Sequence, residues 1–147
     1  MLVVIGDHSA GLPWEPEVAH SLGFSNDIAH WTLAERVPLV IRFAGDRPVR
    51  IEQPVGQVSF APTVLNLLGI DASRLPYVGR NALGAATDEP VIRRNGGWVT
   101  SQHLFLLRGA GHGSHCYDRA AMKDVDLSAC DYGTPVALKK ALLPRRI

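Results

Sequence analysis

The sequence has no long apolar run, little cysteine and no excess of charge of either sign, and each shortage excludes a class of protein. No stretch of about 18 or more consecutive apolar residues occurs, so no segment reads as a membrane-spanning helix. No basic segment followed by an apolar one opens the chain, so no secretory signal is visible. Two cysteines in 147 residues are too few for a disulfide scaffold or for a structural zinc site of their own. With 15 Lys+Arg against 14 Asp+Glu the formal net charge is +1, which gives no electrostatic case for a nucleic-acid partner. What is present, 46% hydrophobic and 20% charged residues, is the composition of an ordinary globular domain with one substantial core.

Leu2-Val3-Val4-Ile5 follow Met1 with no polar lead-in. They read as a strand buried on both faces, the kind found in parallel α/β sheets whose helices cover both sides. Such a strand is unusual as a first element, because its neighbours must come from elsewhere. The expectation is therefore that these residues are the latter part of a longer chain. The competing expectation is that Met1 is the natural start and that the strand lies at an edge or pairs with a later one.

Helical signals follow from Glu15 to Leu22, with Pro16 near the helix start. A second apolar strand spans Val37–Phe43 and ends in the turn signal Ala44-Gly45-Asp46, with Pro38 confined to its first position or an unpaired side. The clearest helix has Ser59 as its cap, Pro62 in its first turn, and Phe60, Val64, Leu67 and Leu68 on one stripe. Gly69 ends it as a left-handed cap would. From Pro90 the rhythm changes. Val91-Ile92 and Trp98-Val99 flank Asn95-Gly96, a pair suited to a type I′ hairpin turn, and His103–Leu107 adds a third strand. Gly109 to His115 reads as a glycine-rich loop. A last helix is capped by Thr134, with Pro135 at its first position, Leu138, Ala141 and Leu142 on its buried stripe, and Pro144 as its stop. The order divides the chain into an α/β part over residues 1–89 and a small antiparallel α+β part over residues 90–147.

Asp7-His8 directly follows the first strand. In open α/β sheets the ligand crevice lies outside the carboxyl ends of the strands. A carboxylate beside an imidazole offers an oxygen and a nitrogen donor suited to Zn²⁺ or Mn²⁺. Read alone, the pair could equally be a helix-capping Asp next to an incidental His.

The wider pattern adds weight. The strand-Gly6-Asp7-His8 unit, then Arg36–Ile41, then Phe60-Ala61-Pro62-Thr63-Val64-Leu65-Asn66-Leu67-Leu68-Gly69-Ile70-Asp71 resembles the C-terminal part of sulfatase-like enzymes of the alkaline phosphatase superfamily. Arg94–Thr100, Cys116-Tyr117-Asp118 and Asp126–Cys130 look most like the lipoteichoic acid synthases and related phosphoglycerol transferases. The resemblance implies an alkaline phosphatase-like three-layer α/β/α sandwich, of which this chain is the C-terminal portion, with a small antiparallel-sheet and helix subdomain. It implies a single Mn²⁺-type ion (or Mg²⁺ or Zn²⁺) held by a Glu, a catalytic Thr and an Asp-His pair matching Asp7 and His8. It also implies a phosphatidylglycerol-type lipid headgroup as donor, a glycerol-phosphate or glycan acceptor, and action at the extracytoplasmic face of the membrane. The metal would activate the Thr hydroxyl and neutralise charge on the phosphoryl oxygens.

The departures are specific. The family's Glu and nucleophilic Thr lie far upstream of the Asp-His pair, whereas Thr32, Thr63, Thr87, Thr100 and Thr134 all follow Asp7. No catalytic nucleophile is therefore expected in this chain, which on that ground is inactive alone. Where the family usually carries an Asp before its Pro-Thr pair, this sequence has Ser59. Trp14 and His20, in the segment after Asp7-His8, are candidate contacts for the substrate headgroup, and packing at a helix–sheet edge is the alternative for each. His30 and Trp31 read as packing or surface residues, and His112 and His115 as parts of a loop. Cys116 and Cys130 could remain thiols or pair; the extracytoplasmic setting that the resemblance implies favours a bridge, worth roughly 3 kcal/mol. Two other functions share the same features: a sulfuric or phosphoric ester hydrolase of the same superfamily, and a non-catalytic accessory module on its scaffold. An isolated chain of this kind is expected to expose apolar strand surface or to self-associate.

Overall fold

The computed structural model describes residues 1–9, 11–45, 47–85, 88–93, 95–107 and 113–131. The expected helix over residues 134–143, together with Arg94 and His112, lies outside the described residues. The chain divides into two compact units, Met1–Arg50 and Ile51–Ile147.

In the first unit, β1 (Leu2–Ile5) pairs with β2 (Leu39–Arg42). The pairing is antiparallel, with Val3 opposite Ile41 and Val4 opposite Val40, in place of the parallel setting expected from the apolar run. An uninterrupted apolar run reports that both faces are suited to burial, but it carries no information on strand direction. Leu2, Val4, Leu39 and Val40 are all exposed, so the strand is not covered on both sides as the sequence implied. Pro38 stands just before β2, and its carbonyl accepts the Gly6 N–H at 2.9 Å, which prolongs the ladder by one bond without asking Pro38 to donate.

Between the strands lie two short helices. Pro16 opens α1 (Pro16–Leu22), and Gly23, at φ 74°, closes it. Its N–H reaches the His20 carbonyl and that of Phe24 the Ala19 carbonyl, so the chain satisfies the last carbonyls and turns. The second helix, α2 (Ile28–Ala34), escapes the apolar pattern because its start depends on one residue. Asp27 Oδ1 accepts from the N–H groups of both Ala29 and His30 at 3.0 Å. Ala19, Ala29 and Trp31 are buried. Trp31 meets the ring of Phe24 edge-on at 5.2 Å and that of Trp14 at 6.4 Å, and its indole N–H donates to Asn26 Oδ1.

In the second unit, a 3-10 turn over Gln57–Ser59 runs directly into α3 (Phe60–Leu67). Ser59 is consequently already helical and does not cap α3 with its side chain; its hydroxyl accepts the Arg80 N–H at 3.2 Å instead. Gly69, at φ 75°, ends the helix, with the Ile70 N–H returning to the Leu65 carbonyl. The buried residues of α3 are Pro62 and Thr63, while Leu68 on the expected stripe is exposed.

Strands β3 (Val91–Ile92), β4 (Trp98–Val99), β5 (His103–Leu106), β6 (His115–Asp118) and β7 (Lys123–Val125) form an antiparallel meander in sequence order. In the β3–β4 connection the Arg93 N–H donates to the Gly97 carbonyl and the Gly96 N–H to the Arg93 carbonyl, and Gly96 has a left-handed φ of 83°, as hairpin turns require of a glycine. His115 opens β6 and is not part of a loop. Register sets Ile92 opposite Trp98, Trp98 opposite Phe105, Phe105 opposite Cys116 and Cys116 opposite Val125. One row of apolar side chains therefore crosses all five strands. The 3-10 turn Leu127–Cys130 packs on it through Ala129 and Cys130. Among the described residues no helix is long and apolar enough to cross a membrane.

Candidate metal centre

Asp7 and His8 leave the carboxyl end of β1 through Gly6. A Cβ on Gly6 would stand 3.0 Å from Val37 Cβ and 3.1 Å from Pro38 Cδ, so a residue without a side chain lets the end of β1 close against the start of β2. Beyond that point both side chains are largely exposed, Asp7 at 89% and His8 at 80%.

The local geometry aligns two donors. Asp7 Oδ1 accepts the His8 N–H at 3.0 Å. His8 Nδ1 lies 2.7 Å from the Ser9 carbonyl oxygen. A carbonyl can only accept, so Nδ1 carries the ring proton, and Nε2 of a neutral ring keeps its lone pair. That Nε2 is 3.6 Å from Asp7 Oδ1. Two ligands on one tetrahedral ion at about 2.1 Å each would be about 3.4 Å apart. The pair thus has the donor types and the spacing to share a divalent cation, and a backbone carbonyl orients the imidazole in the manner usual for metal-bound histidines.

The number of donors does not close a site. Among the described residues no group of three or more His, Cys, Asp and Glu side chains could hold a metal ion. The described buried threonines take part in hydrogen bonds to the backbone. The Thr63 hydroxyl donates to the Ser59 carbonyl and accepts from the Ala82 N–H, and the Thr100 hydroxyl accepts from the His103 N–H. Thr87 and Thr134 lie outside the described residues.

The remaining candidates are distributed differently. Trp14, half exposed, leans on Trp31. His20, on the last turn of α1, borders an open depression of about 340 Å³ together with Gly23, Phe24, Ser25 and His30. Sequence reasoning missed a pairing made by one residue of its rim: His30 Nδ1 is 2.6 Å from Asp27 Oδ2, and the His30 ring stacks on Phe24. The signal was present as Asp-x-x-His at a helix start, the spacing of a reciprocal capping box. A second such pair, His115 Nδ1 with Asp124 Oδ2 at 2.9 Å, depends on the pairing of β6 with β7 and left no local signal. Cys116 and Cys130 are joined in a disulfide, with their Cα atoms 5.8 Å apart.

Set beside known proteins, the chain matches no family model. It is 28% identical over 145 residues to lipoteichoic acid synthase 2 of Bacillus subtilis (strain 168), which covers 97% of this chain and 21% of that protein. This chain is a distant relative of lipoteichoic acid synthases. Lipoteichoic acid synthase 1 of the same organism is 29% identical over 70% of the chain, and the lipoteichoic acid synthase-like protein YvgJ is 26% identical over 71%. The chain spans about a fifth of the length of these relatives, between 16% and 21%.

Proposed function

We propose that this chain carries the Asp–His part of the metal site of a phosphoglycerol transferase of the lipoteichoic acid synthase type, and that it represents the C-terminal part of such an enzyme. The observation that carries the reading is the pairing of Asp7 Oδ1 with an oriented His8 Nε2 at 3.6 Å, at the carboxyl end of a strand, in a chain whose distant relatives bear that name. In this reading the β1–β2 pair belongs to an alkaline phosphatase-like sandwich completed by residues outside this sequence. A bound Mn²⁺-type ion (or Mg²⁺ or Zn²⁺) supplies Lewis acidity toward a phosphoryl oxygen and activates a nucleophile. Asp7 contributes anionic charge and an oxygen donor, and His8 a neutral nitrogen donor locked by Ser9. A Glu ligand and a nucleophilic Thr come from outside this sequence, so the chain alone does not turn over substrate. Trp14 and His20 face the headgroup of a phosphatidylglycerol-type lipid, and the acceptor is a glycerol-phosphate or glycan chain at the extracytoplasmic face of the membrane.

Mn²⁺ added to the isotopically labelled chain tests the ligand pair through paramagnetic broadening. The Asp7 and His8 signals should broaden first, at millimolar Mn²⁺, and D7N or H8A should remove that selectivity. Broadening that ignores both substitutions refutes the assignment. Turnover of a phosphatidylglycerol substrate by the purified 147-residue chain, abolished by D7N or H8A, refutes the claim that the nucleophile lies elsewhere.

A further inference from the structure

The second unit holds a device that the proposed chemistry does not use. The apolar row Ile92–Trp98–Phe105–Cys116–Val125 lies on one face of a sheet whose strands are two to four residues long. Trp98 and Phe105 stack at 5.5 Å in its middle. Strands this short have few ladder bonds each, so the face must be covered to persist. The cover is the 3-10 turn Leu127–Cys130. The internal bonds of that turn, Ser128 N–H to Asp126 Oδ1 and Ala129 N–H to the Asp126 carbonyl, shape it without tying it to the sheet. Its one covalent tie is Cys130 to Cys116, in the centre of the row. Both cysteines are buried, at 2% and 0% exposure.

We infer that the Cys116–Cys130 disulfide is a permanent staple, set as the chain folds in an oxidising compartment, and that it is not an exchangeable redox switch. Reduction requires a thiolate to attack a disulfide sulfur along an open approach, and although Cys130 borders an open depression, both cysteines are themselves almost fully buried in the folded chain. A dithiol reductant therefore acts only after the turn has lifted away. It then passes two electrons to the S–S bond, leaving two protein thiols and the oxidised, cyclic form of the reductant. Once cut, the 14-residue span regains its chain entropy, and the covered state loses roughly a hundredfold in its equilibrium against the open one. This inference rests on the second unit alone and stands or falls independently of Asp7 and His8.

The test uses the full chain folded in air. Alkylation in denaturant without reductant should find no thiol; two thiols in a chain that still protects β4 and β5 overturn the inference. Dithiothreitol should reduce the native protein far more slowly than it reduces a small exposed disulfide, with the rate rising steeply in sub-denaturing urea. Native reduction as fast as the small-molecule rate shows a switch and overturns it. In the reduced protein, and in C116A/C130A, hydrogen exchange over residues 98–106 should accelerate about a hundredfold, while residues 16–34 report whether the rest of the chain is unchanged. Protection of 98–106 that stays within about threefold after reduction also overturns it.

Discussion

Replacing Thr63 with valine tests what the Pro62-Thr63 pair does. Valine keeps the shape of threonine and its β-branched backbone preference, so the change isolates the hydroxyl. That hydroxyl is 2.6 Å from the Ser59 carbonyl, to which it donates, and 2.9 Å from the Ala82 N–H, from which it accepts. Thr63 and Ala82 are both buried, at 2% and 7% exposure. The lost donation to Ser59 costs about 1 kcal/mol, since that carbonyl still has helical partners within reach; the Ala82 N–H, stranded out of water, adds about 1–3 kcal/mol. A total of about 2–4 kcal/mol corresponds to a roughly 30- to 900-fold shift in the opening equilibrium of the 79–82 segment. Residue-resolved hydrogen exchange reads this directly: the Ala82 amide should accelerate by that factor in T63V. In T63S, where the hydroxyl remains and only a methyl is lost, acceleration should stay below about tenfold. Equal damage from both substitutions would place the effect in packing, and an unchanged Ala82 amide would refute the assigned bond altogether.

The turn that follows is held to α3 by the same device. A Cβ at Gly79 would run into the Val58 carbonyl and the Ser59 nitrogen, which are backbone atoms unable to swing aside, so G79A should destabilise the second unit by more than about 2 kcal/mol, measured by urea unfolding. Asp126 offers a pH-dependent test. Hydrogen bonds from the Ser128 hydroxyl and backbone N–H hold its carboxyl below the usual range. A carboxyl whose pKa falls on folding contributes stability that is present above its unfolded value, about 3.9, and is lost as pH falls through its folded value. Ser128 amide protection should therefore be flat above about pH 4 and fall below it, and D126N should abolish that pH dependence.

Elements announced by local chemistry were legible. Pro16 and Gly23 bracket α1 because a fixed φ and a left-handed φ act on their own residues. Gly69 closes α3 for the same reason. The strands over Leu2–Ile5, Leu39–Arg42 and His103–Leu106 were visible as apolar runs. The strands β6 and β7 were not, because His-Cys-Tyr-Asp and Lys-Asp-Val set too few apolar residues in alternation to announce a strand. Ser59 misled because a cap requires an extended backbone, and a 3-10 turn upstream had already coiled it.

The candidate site divides along the same line. Placing a carboxylate and an imidazole at the end of an apolar strand is a matter of adjacency, so Asp7 and His8 were readable from order alone. Residue order likewise set the helix ends and the turns, because each depends on φ and ψ preferences spanning a few residues. Folding in three dimensions decided the direction of β1 against β2, the row from Ile92 to Val125, the turn that covers it and the burial of the Thr63 hydroxyl. These depend on which distant segments come into register, and a partner's distance along the chain leaves no trace in local preference.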